Sequence, residues 1–178
     1  MQVTIIHITY IGMRAFYFIL PVLLLSTRTG AQLNIQDLVH LVDCHNYSCI
    51  STAAQPKGYA FADSTFDEDF KTSQYIFQHK PLISVSAPIN TLILSYDSIA
   101  GLAIINFETI SEEIYRKLLN DIKANGFELH QALGSGDIIY SYPNTRLVIF
   151  VGTDTYEDGL HYVFTINYKP DSGNNSTE

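Results

Sequence analysis

The chain has 178 residues, of which 47% are hydrophobic and 16% are charged, and its 18 acidic and 10 basic side chains give a net charge of -8. The hydrophobic content excludes a disordered chain, and the length fits one ordinary domain. The acidic balance argues against a nucleic-acid partner, because the chain has no basic surplus to neutralise phosphate groups.

The first 31 residues have the pattern of a secretory signal peptide. Arg14 precedes an uninterrupted apolar run of eleven residues, Ala15 to Leu25, and small residues close the segment. This run is too short for an uncleaved anchor, because a spanning helix needs about 20 apolar residues. We therefore predict a cleaved leader over residues 1–31, with Met13 as a possible true start, and a secreted or periplasmic product that does not insert into the membrane.

Removal of the leader makes the protein more acidic. Only Arg14 and Arg28 are lost with it, so residues 32–178 hold 18 acids against 8 bases and a formal charge of -10. This length can bury a core of its own. We predict a single α+β domain over residues 32–170 and a flexible polar tail over residues 171–178.

Cys44 and Cys49 are the only cysteines of the chain. In an exported protein, two cysteines this close predict a disulfide bond. The alternative is a metal site, because His40 and His45 would add two imidazoles to the two thiolates, although the spacing matches no standard zinc motif. A thioredoxin-like redox role needs two residues between the cysteines, and this chain has four.

The first half of the domain predicts two short helices followed by four extended segments. Asn34 can cap the first helix and Ser48 the second, which Pro56 and Gly58 end. The acidic segment Asp63 to Asp69 is predicted to be a loop. The extended segments begin at residue 58 and recur at residues 74–79, 91–96 and 102–107.

The second half predicts one longer helix and again four strands. Thr109 and Glu112 form a capping-box pattern at its start, and Asn125-Gly126 provides a left-handed stop at its end. The acidic segment Asp154 to Gly159 is predicted to be a loop between the last two strands. The extended segments are residues 127–132, 138–142, 147–151 and 161–169.

The two halves therefore share one order of elements, with a glycine and an aromatic residue at Gly58-Tyr59 and at Gly126-Phe127. This order predicts two helix-plus-four-strand repeats, over residues 32–108 and 109–170. They would form one antiparallel sheet with the helices on one face. Direct residue identity between the halves is poor, so a coincidence of element order is the alternative.

Residues 34–61 contain the motif D-L-V-x-L-V-D-C-x4-C followed by K-G-Y-x-F. In these motifs, in the later helix that closes in N-G-F and in the paired terminal strands, the chain resembles small, exported, functionally uncharacterised proteins of the Bacteroidetes type. The motifs are structural, so the resemblance implies no catalytic residues. The element order alone is similar to the tandem beta-lactamase inhibitor protein fold, which is an analogy of topology and not of function.

No catalytic set can be recognised in the sequence. The histidines form no paired-ligand motif, and Ser135 lies between glycines in a predicted hairpin turn and not in a nucleophile elbow. These patterns favour a non-enzymatic protein without a cofactor. Carboxylates of the two acidic segments support the alternative of a secreted hydrolase, and Asp154, Glu157 and Asp158 are candidate ligands for calcium.

Tyrosine supplies the remaining candidates. Tyr140, Tyr142 and Tyr162 lie on predicted strands, and tyrosine is enriched at interfaces because it combines a large apolar area with a polar tip. Packing within the sheet is the alternative role for these rings. We predict an exported domain that binds an unknown protein or glycan through the exposed sheet face or the acidic segments. A structural envelope component that associates with itself is a further alternative.

Overall fold

The structure is a computed structural model that describes residues 32–79, 90–133 and 136–169. The predicted leader, the predicted tail over residues 171–178 and Ser135 lie outside these ranges. The described residues from Leu33 onward belong to one compact unit. Within the described ranges, no helix is long and apolar enough to cross a membrane.

Three α-helices and eight β-strands are formed by the described residues. The helices are α1 (Ile35–Leu41), α2 (Tyr47–Ala54), which continues into the short 3-10 helix Gln55–Lys57, and α3 (Glu112–Ala124). The strands are β1 (Tyr59–Asp67), β2 (Thr72–His79), β3 (Asn90–Asp97), β4 (Leu102–Thr109), β5 (Glu128–Ala132), β6 (Ile138–Ser141), β7 (Leu147–Tyr156) and β8 (Gly159–Tyr168).

All eight strands form one antiparallel sheet in the order β1-β2-β3-β4-β8-β7-β6-β5. Each half of the chain contributes four consecutive strands, and the halves meet where β4 pairs with β8. The last of the described strands, β8, therefore lies in the middle of the sheet, while β1 and β5 are its edges. This sheet with its helices confirms the predicted α+β class, and the descent of the two halves from a repeat stays a prediction.

The hydrophobic core lies between one face of the sheet and the helices. Leu92, Phe107, Phe164 and Val151 follow one another across neighbouring strands, and each is almost fully buried. The next row on the same face consists of Leu94, Ile105, Ile166 and Ile149. The helical members of this core cluster include Leu38, Leu41, Ile50, Leu118 and Ile122. The helices therefore cover this face, which we call the covered face.

The corner between α1 and α2 is held by a disulfide bond. Cys44 and Cys49 are joined with their Cα atoms 5.4 Å apart, and Cys44 is buried in the core cluster. The bond confirms the predicted disulfide. It also removes both thiolates that the alternative metal site with His40 and His45 would have used.

Two helix caps differ from the sequence prediction. The cap of α2 is Asn46 and not Ser48, since its side-chain oxygen accepts the backbone N–H three residues further on at 3.0 Å. The cap of α3 is Ser111 and not Thr109, and the Thr109 hydroxyl instead accepts the Ser111 N–H at 3.0 Å. In both cases the cap is the residue immediately before the first helical residue, and its side-chain oxygen accepts a free backbone N–H of the first turn. The cap of α1 is Asn34, as predicted.

The two segments predicted as acidic loops are largely strand. Asp63 to Asp67 form the second part of β1, and Asp154 to Tyr156 form the end of β7. Their backbone groups form hydrogen bonds with β2 and β8. The side chains at these positions are exposed, so the carboxylates remain hydrated. The connecting turns are therefore shorter than the sequence predicted.

Candidate functional site

The face of the sheet opposite the covered face has a centre of apolar and uncharged polar side chains, and we call it the open face. Its central row runs across six strands as Ile76, Ile93, Asn106, Thr165, Phe150 and Ile139. Ile104 in a neighbouring row and Phe150 are each 38% exposed, which is high for large apolar side chains on a sheet. This face therefore leaves apolar area in contact with water in the described part of the chain.

Hydrogen bonds between strands order the polar side chains of the open face. The Thr165 hydroxyl donates to Asn106 Oδ1 at 2.7 Å, and Gln74 Nε2 donates to Ser95 Oγ at 3.3 Å. Both pairs join neighbouring strands, so the side chains are already restrained in the free protein. Binding of a partner would therefore cause little further loss of side-chain conformational entropy.

Charged side chains on the open face lie toward the ends and edges of the sheet. Asp63, Asp97, Glu108 and Asp154 lie there, and no lysine or arginine occurs in any of the eight strands. Because the strands themselves supply no lysine or arginine, these carboxylates make the potential around the uncharged centre negative. The open face is therefore an apolar surface with an acidic border.

Titratable side chains cluster where β4, β7 and β8 approach one end of this face. His161 Nε2 lies 3.0 Å from Asp158 Oδ1, and its Nδ1 lies 4.0 Å from Glu108 Oε2. The Tyr156 ring packs edge-on against His161, with ring centroids 4.5 Å apart. Burial raises the pKa of Glu108, with His161 opposing this shift and Asp154 adding to it. The charge of Glu108 in turn raises the pKa of Tyr156.

We expect the substitution Glu108→Gln to raise the thermal midpoint at pH 7. The folded-state pKa of Glu108 lies above its ordinary value of 4.5, so the folded protein binds this proton more readily than the unfolded chain. The protonated carboxyl therefore contributes stability that is present in full below pH 4.5 and is lost as the pH rises from 4.5 through the raised folded-state pKa. The glutamine variant has no carboxyl to ionise and does not lose this stability. The gain should be no more than about 2 °C, because the carboxyl is partly hydrated.

Thermal unfolding followed between pH 4 and pH 8 checks this expectation, with Glu113→Gln on the exposed side of α3 as the control. The advantage of the Glu108 variant should shrink toward acid pH, and the control should show none. A lower midpoint at pH 7 would mean that the attraction to His161 outweighs the cost of burial.

A shallow depression adjoins this cluster on the open face. It has a volume of about 250 Å³, and its lining includes Phe150, Thr165 and the carboxylates of Asp137 and Asp154. The Asp137 side chain lies over Gly152, where a Cβ atom would collide with the carboxylate. Pockets that enclose a small ligand usually measure about 300 to 1,000 Å³. The depression is therefore a recess of the open face and too small to enclose such a ligand.

The three tyrosine candidates are placed in different environments. Tyr140 is only 5% exposed, and Tyr162 stacks on Tyr115 of α3 with centroids 4.3 Å apart. Both lie on the covered face, which favours the alternative role of packing within the sheet, and their part in binding stays a prediction. The alternation along β6 and β8 turns their rings toward the helices. Tyr142 follows β6 and is 42% exposed, which keeps it as a candidate.

The candidate calcium ligands Asp154, Glu157 and Asp158 lie at the β7–β8 turn. Asp158 is paired with His161, and Asp154 points to the open face with the depression beside it. Across residues 32–79, 90–133 and 136–169, no group of three or more His, Cys, Asp or Glu side chains is placed to hold a metal ion. The geometry therefore does not support calcium binding by these three residues.

The two acidic segments lie at opposite ends of the strands. At one end of the sheet, Asp67 of β1 pairs with Thr72 of β2, and Thr72 pairs with Asp97 of β3. The β1–β2 turn lies at this end. The β7–β8 turn lies at the other end, where Tyr162 pairs with Thr109. Carboxylates from the two segments therefore cannot meet in one hydrolytic site.

A larger pocket, missed by the sequence reasoning, lies on the helix side of the molecule. Its volume is about 460 Å³, and Tyr142 forms part of its wall together with residues of α1, of the segment after α3 and of β8. We call it the Tyr142 pocket. Its lining comes from four separate stretches of the chain, so no local motif signals it.

Comparison of the chain with protein-family models, with curated proteins and with solved structures found no match.

Proposed function

We propose that the protein is an exported, non-enzymatic interaction domain that binds another protein through the open face. The observation that carries this proposal is the uncharged, partly apolar centre of the face with carboxylates around it. The centres of protein interfaces are depleted of charged residues, whereas their rims are polar. The open face has this distribution and is ordered before a partner arrives.

The acidic border indicates which charges the surface of the partner should carry. A matching surface would present an apolar patch bordered by lysine and arginine, because complementary charges favour encounter and fix orientation. Two copies of residues 32–178, which remain after the predicted leader is removed, would bring like-charged borders together at a formal charge of -10 each, which disfavours self-association. This argues for a basic partner protein and against a self-associating envelope component.

A protein fits the open face better than a glycan does. Phe150 is the one aromatic ring in the central row of the face. Sugars bind well where several aromatic ring faces are available for stacking, and isoleucine and valine offer none. The aliphatic residues of the open face are suited to packing against apolar side chains of another protein.

Export is supported by two features that are independent of each other. The first is the leader pattern at residues 1–31. The second is the disulfide between Cys44 and Cys49, since disulfides form and persist in oxidising compartments and are rare in the cytosol. A partner of the domain would therefore be met outside the cytoplasm.

The test places a photo-crosslinking amino acid at Ile104 on the open face, with Lys117 on the exposed side of α3 as the matched control position. Both forms are exported and exposed to the periplasmic or secreted proteins of the producing cell. We expect a crosslink at Ile104 to a basic protein and none at Lys117. Introducing Phe150→Asp should lower the crosslink yield at least tenfold, because a charge is then buried at the centre of the interface.

Ionic strength provides the second criterion. Raising the salt concentration from 50 to 500 mM should weaken the crosslink at Ile104, because the acidic border contributes to the encounter. Equal crosslinking at both positions, or a yield that neither Phe150→Asp nor salt affects, would contradict binding through the open face.

The hydrolase alternative is supported by one observation, namely that Asp137 and Asp154 line the same depression. Two carboxylates beside a cavity are the minimum for acid and base catalysis of glycoside hydrolysis. The volume of about 250 Å³ leaves little room for a sugar, however, and the second acidic segment is at the opposite end of the sheet. Hydrolysis of chromogenic glycosides that is lost in Asp154→Asn would favour this alternative.

A further inference from the structure

We propose that the Tyr142 pocket is a second binding site, independent of the open face, for a small, neutral and mainly apolar molecule that contains a ring system. The pocket lies between α1, the residues after α3, the β6–β7 turn and the end of β8. Its lining residues are Ile35, Gln36, Val39, His40, Asn125, Phe127, Tyr142, Thr145, Leu147 and Tyr168.

The inner part of the pocket is apolar. Ile35, Phe127 and Leu147 line it and are buried at the edge of the core cluster, and Val39 packs against the same cluster. Transfer of apolar area from water to such a surface contributes about 25 cal/mol per Å². An apolar ring that enters the pocket would therefore be stabilised by contacts that the protein already has in place.

The aromatic walls are fixed by contacts within the protein. The Tyr142 ring packs edge-on against Phe127, with ring centroids 5.2 Å apart. On the other wall, the Tyr168 hydroxyl donates to Asp43 Oδ1 at 3.3 Å. A preformed aromatic wall binds a flat ligand without the entropic cost of ordering it.

Polar groups are confined to the rim of the pocket. Gln36 Nε2 donates to Asn125 Oδ1 at 2.7 Å, which ties α1 to the end of α3. The Thr145 hydroxyl donates to the carbonyl oxygen of Tyr142 at 3.1 Å. The Tyr142 hydroxyl and the His40 imidazole belong to exposed side chains at the same rim, where they can meet a carbonyl or hydroxyl group of a ligand.

The charge of the lining indicates a neutral ligand. None of the ten lining residues is an aspartate, glutamate, lysine or arginine. A cationic ligand would find no carboxylate among the lining residues, since the nearby Asp43 carboxylate lies outside the lining and accepts the Tyr168 hydroxyl. An anionic ligand would find no lysine or arginine among them and would approach a protein whose formal charge is -10 without the predicted leader.

The volume sets the size of the ligand. At about 460 Å³, the pocket is within the usual range for small-molecule sites. It is also about three times the volume of roughly 150 Å³ at which an apolar protein cavity binds benzene. The pocket therefore has room for two or three fused or linked rings.

The test uses N-phenyl-1-naphthylamine, a neutral aromatic dye that fluoresces strongly in an apolar environment, with the protein purified after export. We expect saturable binding at one site. Val39→Trp should place an indole in the pocket and weaken dye binding at least tenfold, whereas Lys117→Trp on the exposed side of α3 should leave it unchanged. Tyr142→Ala should weaken binding several-fold, and melting curves establish that each variant is folded.

A second dye tests the class of the ligand. The sulfonated analogue 1-anilinonaphthalene-8-sulfonate should bind at least fivefold more weakly than the neutral dye, because the pocket holds no lysine or arginine. Tighter binding of the sulfonate would overturn the inference of a neutral ligand. No binding of the neutral dye, or binding that Val39→Trp does not affect in a folded variant, would overturn the site itself. A deletion of residues 171–178 that restores absent binding would instead identify the tail as the occupant and would also overturn the proposal.

Discussion

Replacement of Phe164 by alanine should destabilise the protein by about 3 to 5 kcal/mol, the range observed for removal of a buried phenylalanine side chain. Phe164 is fully buried in β8, next to Phe107 of β4, and its ring also contacts Tyr115 of α3 at a centroid distance of 5.8 Å. The substitution leaves a cavity at the seam between the two halves of the sheet. Such a loss is a large share of the 5 to 15 kcal/mol by which single domains are usually stable.

The measurement is urea unfolding followed by far-UV circular dichroism, since the chain has no tryptophan to report by fluorescence. Val163→Ala is the matched control, because Val163 is the preceding residue of β8 and lies on the partly hydrated open face. We expect this control to cost no more than about 1 kcal/mol. Similar losses in the two variants would contradict the assignment of the covered and open faces.

The second large effect should come from removing the disulfide. Cys44→Ala combined with Cys49→Ser should destabilise the protein by about 2 kcal/mol on the chain-entropy model, because the bond closes a loop of only a few residues. Alanine suits the buried position and serine the exposed one. Equilibrium unfolding with and without reductant measures the effect in the parent protein and in the variant.

Reductant should lower the stability of the parent protein toward that of the double variant and leave the variant unchanged. Because the bond joins α1 to α2, hydrogen exchange of amides in these two helices should accelerate more than exchange in β4 or β8. An equal acceleration in the central strands would show that the disulfide supports the whole sheet and not only this corner.

Much of the element order could be read from the sequence because the apolar periodicity is strong. The three helices and the eight strands are where the pattern predicted them, with ends that moved by a few residues. The wrong caps have a local cause, since Asn46 and Ser48 both offer a side-chain oxygen and only backbone geometry decides which one meets a free amide. The acidic parts of β1 and β7 were missed because carboxylates lower strand propensity, whereas cross-strand pairing outweighs that preference here.

The binding surfaces could be predicted only in part. Apolar and polar residues alternate along β8, a pattern typical of a sheet with one hydrated face, but the charge-free centre depends on how six strands align, for example on Asn106 facing Thr165. Tyr162 lies on the opposite face of β8, beneath α3. Its stacking on Tyr115 depends on where this helix packs on the sheet, which the alternation along β8 does not determine. The Tyr142 pocket brings α1 next to residues about a hundred positions later, and sequence periodicity does not encode that proximity.

The position of β8 in the sheet has a consequence for when the protein can fold. Because β8 follows the seven other described strands in sequence and pairs with both β4 and β7, the two four-strand halves cannot join until Gly159–Tyr168 is available. Pairing of strands so distant in sequence is slow to form, since the loop-closure entropy is lost before the contacts are gained. A nascent chain that lacks β8 has no partner strand for this edge of β4 and has an incomplete core. The native sheet can therefore form only after almost the whole domain has been synthesised.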